Sequence, residues 1–354
     1  MKTVFLAFTL KNSSVADFFV ELANRLSLTY KVIIFSHAVE ENSLSINKEI
    51  IIKKWPSPRP TRMADLVFLQ RMIKKYRPQI MISNFAAVNL FLIVGFFYRI
   101  PQRIAWYHTL YAQIKKNRIL KFRKQFIYKL ATHVIANSTA SKKDLVEHFG
   151  VAKSKIFVVH NALHRAEIIN TGNPDQVVYA GRLDAVKGLL TLIKAMSIVV
   201  KDYPSVKLHI VGDEKTGDQV EKIKEMVKDL KLTENIIFRG NISRNQVLKE
   251  FSKAWFTIVP SHVEAFGYVV IESFSVGTPV VGSKTTGISE IIRDKKDGFL
   301  FRVQNFNELA EKMILLLKDH NLRNEMSINC KRNFEENFEL SSSVERLNKI
   351  LNLT

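Results

Sequence analysis

Short runs of β-branched, aliphatic and aromatic residues alternate along this chain with longer stretches of helical periodicity. That is the pattern of strands joined by crossover helices in a parallel sheet. In the first half it predicts strands over Thr3 to Phe8, Lys31 to Phe35, Gln79 to Ser83, Arg103 to Trp106, His133 to Ala136 and Lys155 to Val159. Helices are predicted to begin near Val15, Met63, Ala87, Gln113 and Ser141, with Ser13 and Ser14 placed to cap the first of them. Arg165 to Pro174 reads as a linker. A second series of strands follows over Gln176 to Ala180, Lys207 to Val211, Ile236 to Arg239, Trp255 to Val259, Pro279 to Val281 and Gly298 to Phe301. Helices separate them over Leu189 to Tyr203, Gln219 to Leu230, Gln246 to Phe251, Tyr268 to Val276 and from Asn305 onward. Two doubly wound α/β domains in tandem account for this order.

Residues 78–98 carry no charge, and a continuous apolar helix of that length would span a bilayer. Pro78, Ser83, Asn84 and Asn89 instead divide the segment into a strand, a turn and a buried helix.

Composition narrows the picture. A chain of 354 residues, 47% hydrophobic and 24% charged, is globular and long enough for two domains. Boundaries are expected at 1–165 and 175–330, with a helical segment over 331–354 that returns to the first domain. The single cysteine, Cys330, excludes an intrachain disulfide. Met1 to Leu6 reads as a first strand and not as a signal peptide, so a cytoplasmic location is expected.

Charge is unevenly placed. Residues 1–170 hold 27 Lys/Arg against 9 Asp/Glu, or +18, leaving +2 of the total +20 to the remainder. An anionic partner for the first half follows from this. Arg118, Lys121, Arg123, Lys124 and Lys129, interleaved with Tyr111, Phe122, Phe126 and Tyr128, suit an anionic membrane surface. Lys53, Lys54, Arg59, Arg62, Lys74, Lys75 and Arg77 form a second basic stretch.

Two clusters carry chemistry. Pro260, Ser261 and His262 follow a predicted strand, at the sheet edge where open α/β proteins bind ligands. Glu264 comes next, and then Gly267 before a helix whose first amides, at Tyr268 and Val269, form an anion site. Glu272, eight residues after Glu264, can accept bonds from the vicinal hydroxyls of a ribose. The second cluster, Gly181-Arg182 with Lys187-Gly188, follows the first strand of the second domain. Arg182 and Lys187 can converge on a diphosphate that gains charge as it departs.

Together these residues resemble the family-4 retaining glycosyltransferases, the glycosyl transferases group 1, whose GT-B fold sets two Rossmann-like domains facing across a cleft. Further matches are Phe266-Gly267, Gly277 to Val281, Gly287 with Glu290, and, in the first domain, Asn137-Ser138 and His160-Asn161. The resemblance implies that Arg182 and Lys187 bind the donor diphosphate, Glu264 the transferred sugar and Glu272 the ribose. It places the nucleobase near Gly240 and Asn241, the distal phosphate at Tyr268 and Val269, and His108 beside the sugar and acceptor. Catalytic roles accordingly fall to Glu264, His108, Arg182 and Lys187. The chain departs from the family in the glycine-free loop Lys11 to Ser14, at Ala265 and at Thr286.

No Asp-x-Asp pair occurs, and His160 and His164 lack a third ligand, so neither metal nor cofactor is expected beyond the nucleotide-sugar itself. The expected activity is sugar transfer from a UDP-linked donor to a saccharide or lipid-linked saccharide at the inner face of a bacterial cytoplasmic membrane. A nucleotide-sugar epimerase of similar fold is the alternative enzyme. A basic nucleic-acid-binding protein is the alternative from another class, although no motif for it occurs.

Overall fold

A computed structural model describes residues 1–11, 13–38, 45–108, 110–111, 118–212 and 218–351. The chain forms two compact units, one made of Met1–His164 together with the segment from Leu340, the other of Arg165–Glu339.

The first unit holds a seven-stranded parallel sheet of β1 (Thr3–Ala7), β2 (Lys31–Ser36), β3 (Ile51–Lys54), β4 (Ile80–Ser83), β5 (Gln102–Tyr107), β6 (His133–Ala136) and β7 (Ile156–Val158), in the order β3-β2-β1-β4-β5-β6-β7. Its helices are α1 (Ser14–Ser27), α2 (Met63–Tyr76), α3 (Val88–Phe97), α4 (Arg118–Lys129) and α5 (Thr139–Phe149). Alternation along β1 explains why both faces are covered. Val4 and Leu6 pack with Phe18, Leu22 and Trp106, while Phe5 and Ala7 pack on the opposite face with Phe35, Trp55, Leu69 and Phe91. Ser13, extended at φ −158°, accepts from the Ala16 amide at 3.2 Å and so starts α1, as its position predicts. The helix start expected near Gln113 falls on residues outside those described, and α4 is described from Arg118.

β3 was not expected. Its burial alternates between half-buried Ile51 and Lys53 and exposed Ile52 and Lys54, as befits an edge strand with a lysine-blunted rim. The uncharged segment 78–98 divides into β4, a short 3₁₀ turn and the ten-residue α3. Among the described residues no helix is long and apolar enough to cross a membrane.

The second unit repeats the plan with six parallel strands: β8 (Asn173–Ala180), β9 (Lys207–Val211), β10 (Ile236–Gly240), β11 (Ala254–Val259), β12 (Val280–Ser283) and β13 (Gly298–Phe301), ordered β10-β9-β8-β11-β12-β13. Its helices are α6 (Leu189–Asp202), α7 (Asp218–Asp229), α8 (Arg244–Lys253), α9 (Tyr268–Ser275), α10 (Thr286–Ser289), α11 (Phe306–Lys318) and α12 (His320–Asn337). Asn173 and Pro174, read from the sequence as linker, open β8 as exposed residues. The order reverses between β8 and β11, so the loops after these two strands flank a topological switch point.

The helical region after Asn305 is three helices and not one. Asp319 ends α11 and caps α12 by accepting from the Leu322 amide at 2.9 Å. Residues 331–339, expected to begin a separate C-terminal segment, finish in the second unit. The return starts at Leu340, whose amide donates to the Leu163 carbonyl at 2.9 Å. Helix α13 (Leu340–Leu351) then buries Leu340, Val344, Leu347 and Leu351 in the core beside α1.

Candidate functional site

In the second unit the predicted charged residues gather at the carboxyl edge of the sheet. After β8 the chain turns through Asp184, whose side chain accepts from the Lys187 amide at 3.2 Å and sets a single 3₁₀ turn. Gly188 closes it at φ +70°, and a Cβ there would lie 2.0 Å from the Pro260 carbonyl oxygen. Only glycine fits so close an approach. The His262 amide donates to the Val186 carbonyl at 2.7 Å, tying the loop after β11 to the loop after β8.

This tie brings Lys187 to Glu264. The Lys187 ammonium donates to Glu264 Oε2 at 2.6 Å, with both side chains largely shielded from water. Arg182 points elsewhere: its guanidinium pairs with Asp184 at 2.9 Å and its side chain remains 75% exposed. Lys187 and Glu264 are therefore preassembled, whereas Arg182 stands outside the pair.

Gly287 explains another motif position. Its amide donates to the Glu264 carbonyl at 3.3 Å, and a Cβ would come within 2.6 Å of that oxygen and of the Phe266 nitrogen. The neighbouring substitutions, Ala265 and Thr286, leave this approach intact. Gly267 adopts φ +109° and precedes α9, so Tyr268 and Val269 open that helix at its positive end. Glu272 lies one turn further along. Gly240 ends β10, its carbonyl accepting from the Gly212 amide at 3.0 Å, and exposed Asn241 follows.

Arg244 at this edge escaped the sequence reading, and His262 was read there as part of the strand-end cluster without a role of its own. Arg244 Nε stands 3.7 Å from Glu272 Oε1. Its only signal is its place at the start of the helix after β10, behind the Ser243 cap. His262 Nε2 is buried without a hydrogen-bond partner, and burial lowers its pKa. Its position directly after a strand was the available clue.

His108 lies in the first unit, just after β5. Its ring stacks on Phe85 at 4.9 Å and on Trp106 at 6.1 Å. The residue keeps some exposure, yet its Nε2 is buried without a partner, and it is this burial of the ring nitrogen that lowers its pKa to about 3. The imidazole is thus neutral at physiological pH. Beside it Phe85 is 54% exposed at φ +49°, a costly backbone conformation for an aromatic residue, and the Asn84 side chain is buried with neither amide atom paired. Of the strand-end motifs, Asn137-Ser138 is structural: Ser138 caps α5, and Ser141 donates to Asn137 Oδ1 at 2.6 Å.

Helix α4 corrects part of the basic-aromatic expectation. Phe122 and Phe126 are 74% and 63% exposed, and Arg123 and Lys129 are exposed with them. Tyr128 is buried, however, and the Lys124 ammonium lies over the Tyr107 and Phe149 rings at 5.8 and 5.5 Å. Lys124 therefore belongs to the packing of the unit more than to its surface.

Comparison with known proteins agrees with this geometry. A family described as glycosyltransferase family 4 matches residues 15–167, and one described as glycosyl transferases group 1 matches residues 161–333. The poly(glycerol-phosphate) alpha-glucosyltransferase of Bacillus subtilis is 34% identical over 178 residues, which are 50% of this chain and 25% of that enzyme. The poly(ribitol-phosphate) alpha-N-acetylglucosaminyltransferase of Staphylococcus aureus is 27% identical over 62% of this chain and 43% of its own length. The chain thus spans a quarter of the length of the first of these curated relatives and less than half of the second. HepE from Anabaena, solved in complex with UDP, superimposes with a TM-score of 0.82 at 18% identity over 100% of both chains. Sucrose-phosphate synthase from Thermosynechococcus elongatus does so with a TM-score of 0.81 at 19% identity, over 99% of this chain and 98% of its own.

Proposed function

Since the chain belongs to the family 4, group 1 glycosyltransferases and has two Rossmann-like domains of the GT-B type, we propose that it moves a sugar from a UDP-linked donor to a saccharide or lipid-linked saccharide, with retention of configuration. The observation that carries this reading is the preassembled Lys187–Glu264 pair at the switch point, 2.6 Å apart and largely shielded from water. A cation held there stabilises the diphosphate as it gains charge on departure, and its carboxylate partner accepts from the hydroxyls of the transferred sugar. Arg182, exposed and paired with Asp184, swings to the same diphosphate. Tyr268 and Val269 offer amides to the distal phosphate, Glu272 accepts from the ribose, and Gly240 and Asn241 border the base. His108, neutral and stacked, contacts the sugar or acceptor without moving a proton. These charges and dipoles take the part that a divalent cation plays in other sugar transferases.

UDP and UDP-glucose complexes of HepE support a uridine donor. The alpha-linked products named for two curated relatives support retention, given an α-linked donor, and their polymer acceptors support a role in bacterial surface polysaccharide assembly. The exposed Phe122, Phe126, Arg123 and Lys129 favour peripheral docking of the first unit on an anionic membrane, where a lipid-linked acceptor resides. The family assignment leaves the epimerase and nucleic-acid alternatives without support.

The test is thermal unfolding with UDP-, GDP- and ADP-sugars. A ligand that binds only the native protein at 100 times its Kd stabilises it by about 2.7 kcal/mol. UDP-sugars are expected to raise the midpoint most, and a larger rise with GDP- or ADP-sugars would overturn the uridine donor.

A further inference from the structure

Helices α8 and α9 both begin at the carboxyl edge of the second sheet and pack against one another. The start of α8 is fixed. Ser243 accepts from the Gln246 amide at 3.4 Å while Gln246 Oε1 accepts from the Ser243 amide at 2.9 Å, a reciprocal cap that makes Arg244 the first helical residue. From there the Arg244 side chain reaches across to α9, where Nε stands 3.7 Å from Glu272 Oε1.

Two features of this contact matter. The side chains are 27% and 15% exposed, so the attraction is screened less than that of a surface pair. At 3.7 Å, moreover, it is an ion pair and not a hydrogen bond. A carboxylate has about four acceptor positions on its two oxygens, and a contact of this kind orients the group without itself occupying one of them as a hydrogen bond would. A carboxylate that must receive two vicinal hydroxyls needs to be ionised and held in one rotamer, and a neighbouring guanidinium favours both.

We infer that Arg244 is a positioning residue that holds Glu272 as an oriented carboxylate toward the ribose of the donor, and thereby sets a preference for ribonucleotides over deoxyribonucleotides. This rests on the ribose role of Glu272 proposed above. It assigns Arg244 no contact with the reacting atoms.

Titration calorimetry of the full chain with UDP and with 2′-deoxy-UDP tests it. The wild-type protein should bind UDP tighter by about tenfold or more, the order expected for a hydrogen bond to a charged group. Arg244→Gln should shrink that gap to about threefold or less, weakening UDP more than 2′-deoxy-UDP, which offers the carboxylate its 3′-hydroxyl alone. Glu272→Gln should shrink it equally, and the double variant no further. If Arg244→Gln does not fold, Arg244→Met, which keeps the apolar stem, is read in the same way. A full gap in the Arg244 variant alongside a lost gap in Glu272→Gln overturns the inference and spares the ribose role of Glu272. Equal weakening of both nucleotides makes Arg244 a strap between helices and overturns it too. No gap in the wild type, or one indifferent to Glu272→Gln, removes the ribose role itself and this inference with it.

Discussion

The two units share a sheet order and a switch point, but their carboxyl edges have opposite characters. In the second unit the edge is charged and paired: Lys187 with Glu264, Arg182 with Asp184, Arg244 with Glu272. In the first, the described residues after β4 and β5 are aromatic and polar: His108 stacks on Phe85 and on Trp106, and Asn84, Trp106 Nε1 and His108 Nε2 lack hydrogen-bond partners. One topology thus carries two chemistries, because the loops after the strands, and not the strands, determine what each edge binds. Paired charges suit an anionic diphosphate, which exchanges one ionic partner for another. A neutral aromatic platform with unused donors and acceptors suits an uncharged, hydroxyl-rich ring.

The largest effect should fall on the charged edge. Lys187→Ala is expected to lower turnover with a UDP-sugar by about 10²- to 10³-fold, or roughly 3–4 kcal/mol, as for other losses of a preorganised electrostatic contact. His108→Gln should cost less. Steady-state kinetics of the two variants with one donor would break the comparison if the order were reversed.

The next prediction concerns the outer surface of the first unit. Combining Phe122→Ser with Phe126→Ser should weaken binding to acidic vesicles by about 10²-fold or more, since each buried aromatic side chain contributes about 1.5–3 kcal/mol. Arg123→Gln with Lys129→Gln should cost about 1 kcal/mol per charge and reduce the salt dependence. Co-sedimentation with acidic and neutral vesicles, with RNA and DNA as competitors, reads both effects. Equal recovery on neutral vesicles, or release by nucleic acid, would contradict docking on anionic lipid.

The smallest effect sharpens the aromatic edge. His108 titrates near 3 when folded and near its ordinary value of about 6.5 when unfolded, so the unfolded chain binds more protons between these values. Stability from this group is therefore complete above about pH 6.5 and falls as the pH drops, by roughly 1 kcal/mol per unit. His108→Gln should flatten the stability profile between pH 7 and 5 while leaving any activity limb near pH 6.5 in place. Denaturant titrations across that range check it, and an unchanged slope would mean that the ring is open to water.

Much of this was legible in the sequence, for reasons that particular residues make clear. Buried parallel strands such as Thr3–Ala7 and Ala254–Val259 are largely apolar runs, the glycines at 188 and 287 mark places where backbone meets backbone, and Gly267 marks a left-handed turn into a helix. β3 was hidden because an edge strand buries one face only and its lysines read as surface. Arg244 was hidden because its partner, Glu272, comes from another helix, and no spacing along the chain reports a contact across two helices. Lys124 was misjudged for a related reason: a lysine over two rings looks, in sequence, like one in water.

Helix α13 has a consequence for how the molecule is made. The first unit encloses the second in sequence, since residues 165–339 intervene between its parts. Leu340, Val344, Leu347 and Leu351 complete a core begun by Val4 and Leu6. During synthesis the second unit has every residue it needs once Glu339 has emerged from the ribosome. The first must wait with one face of its sheet short of a helix, exposing apolar surface that a chaperone can recognise. The half that starts first is finished last.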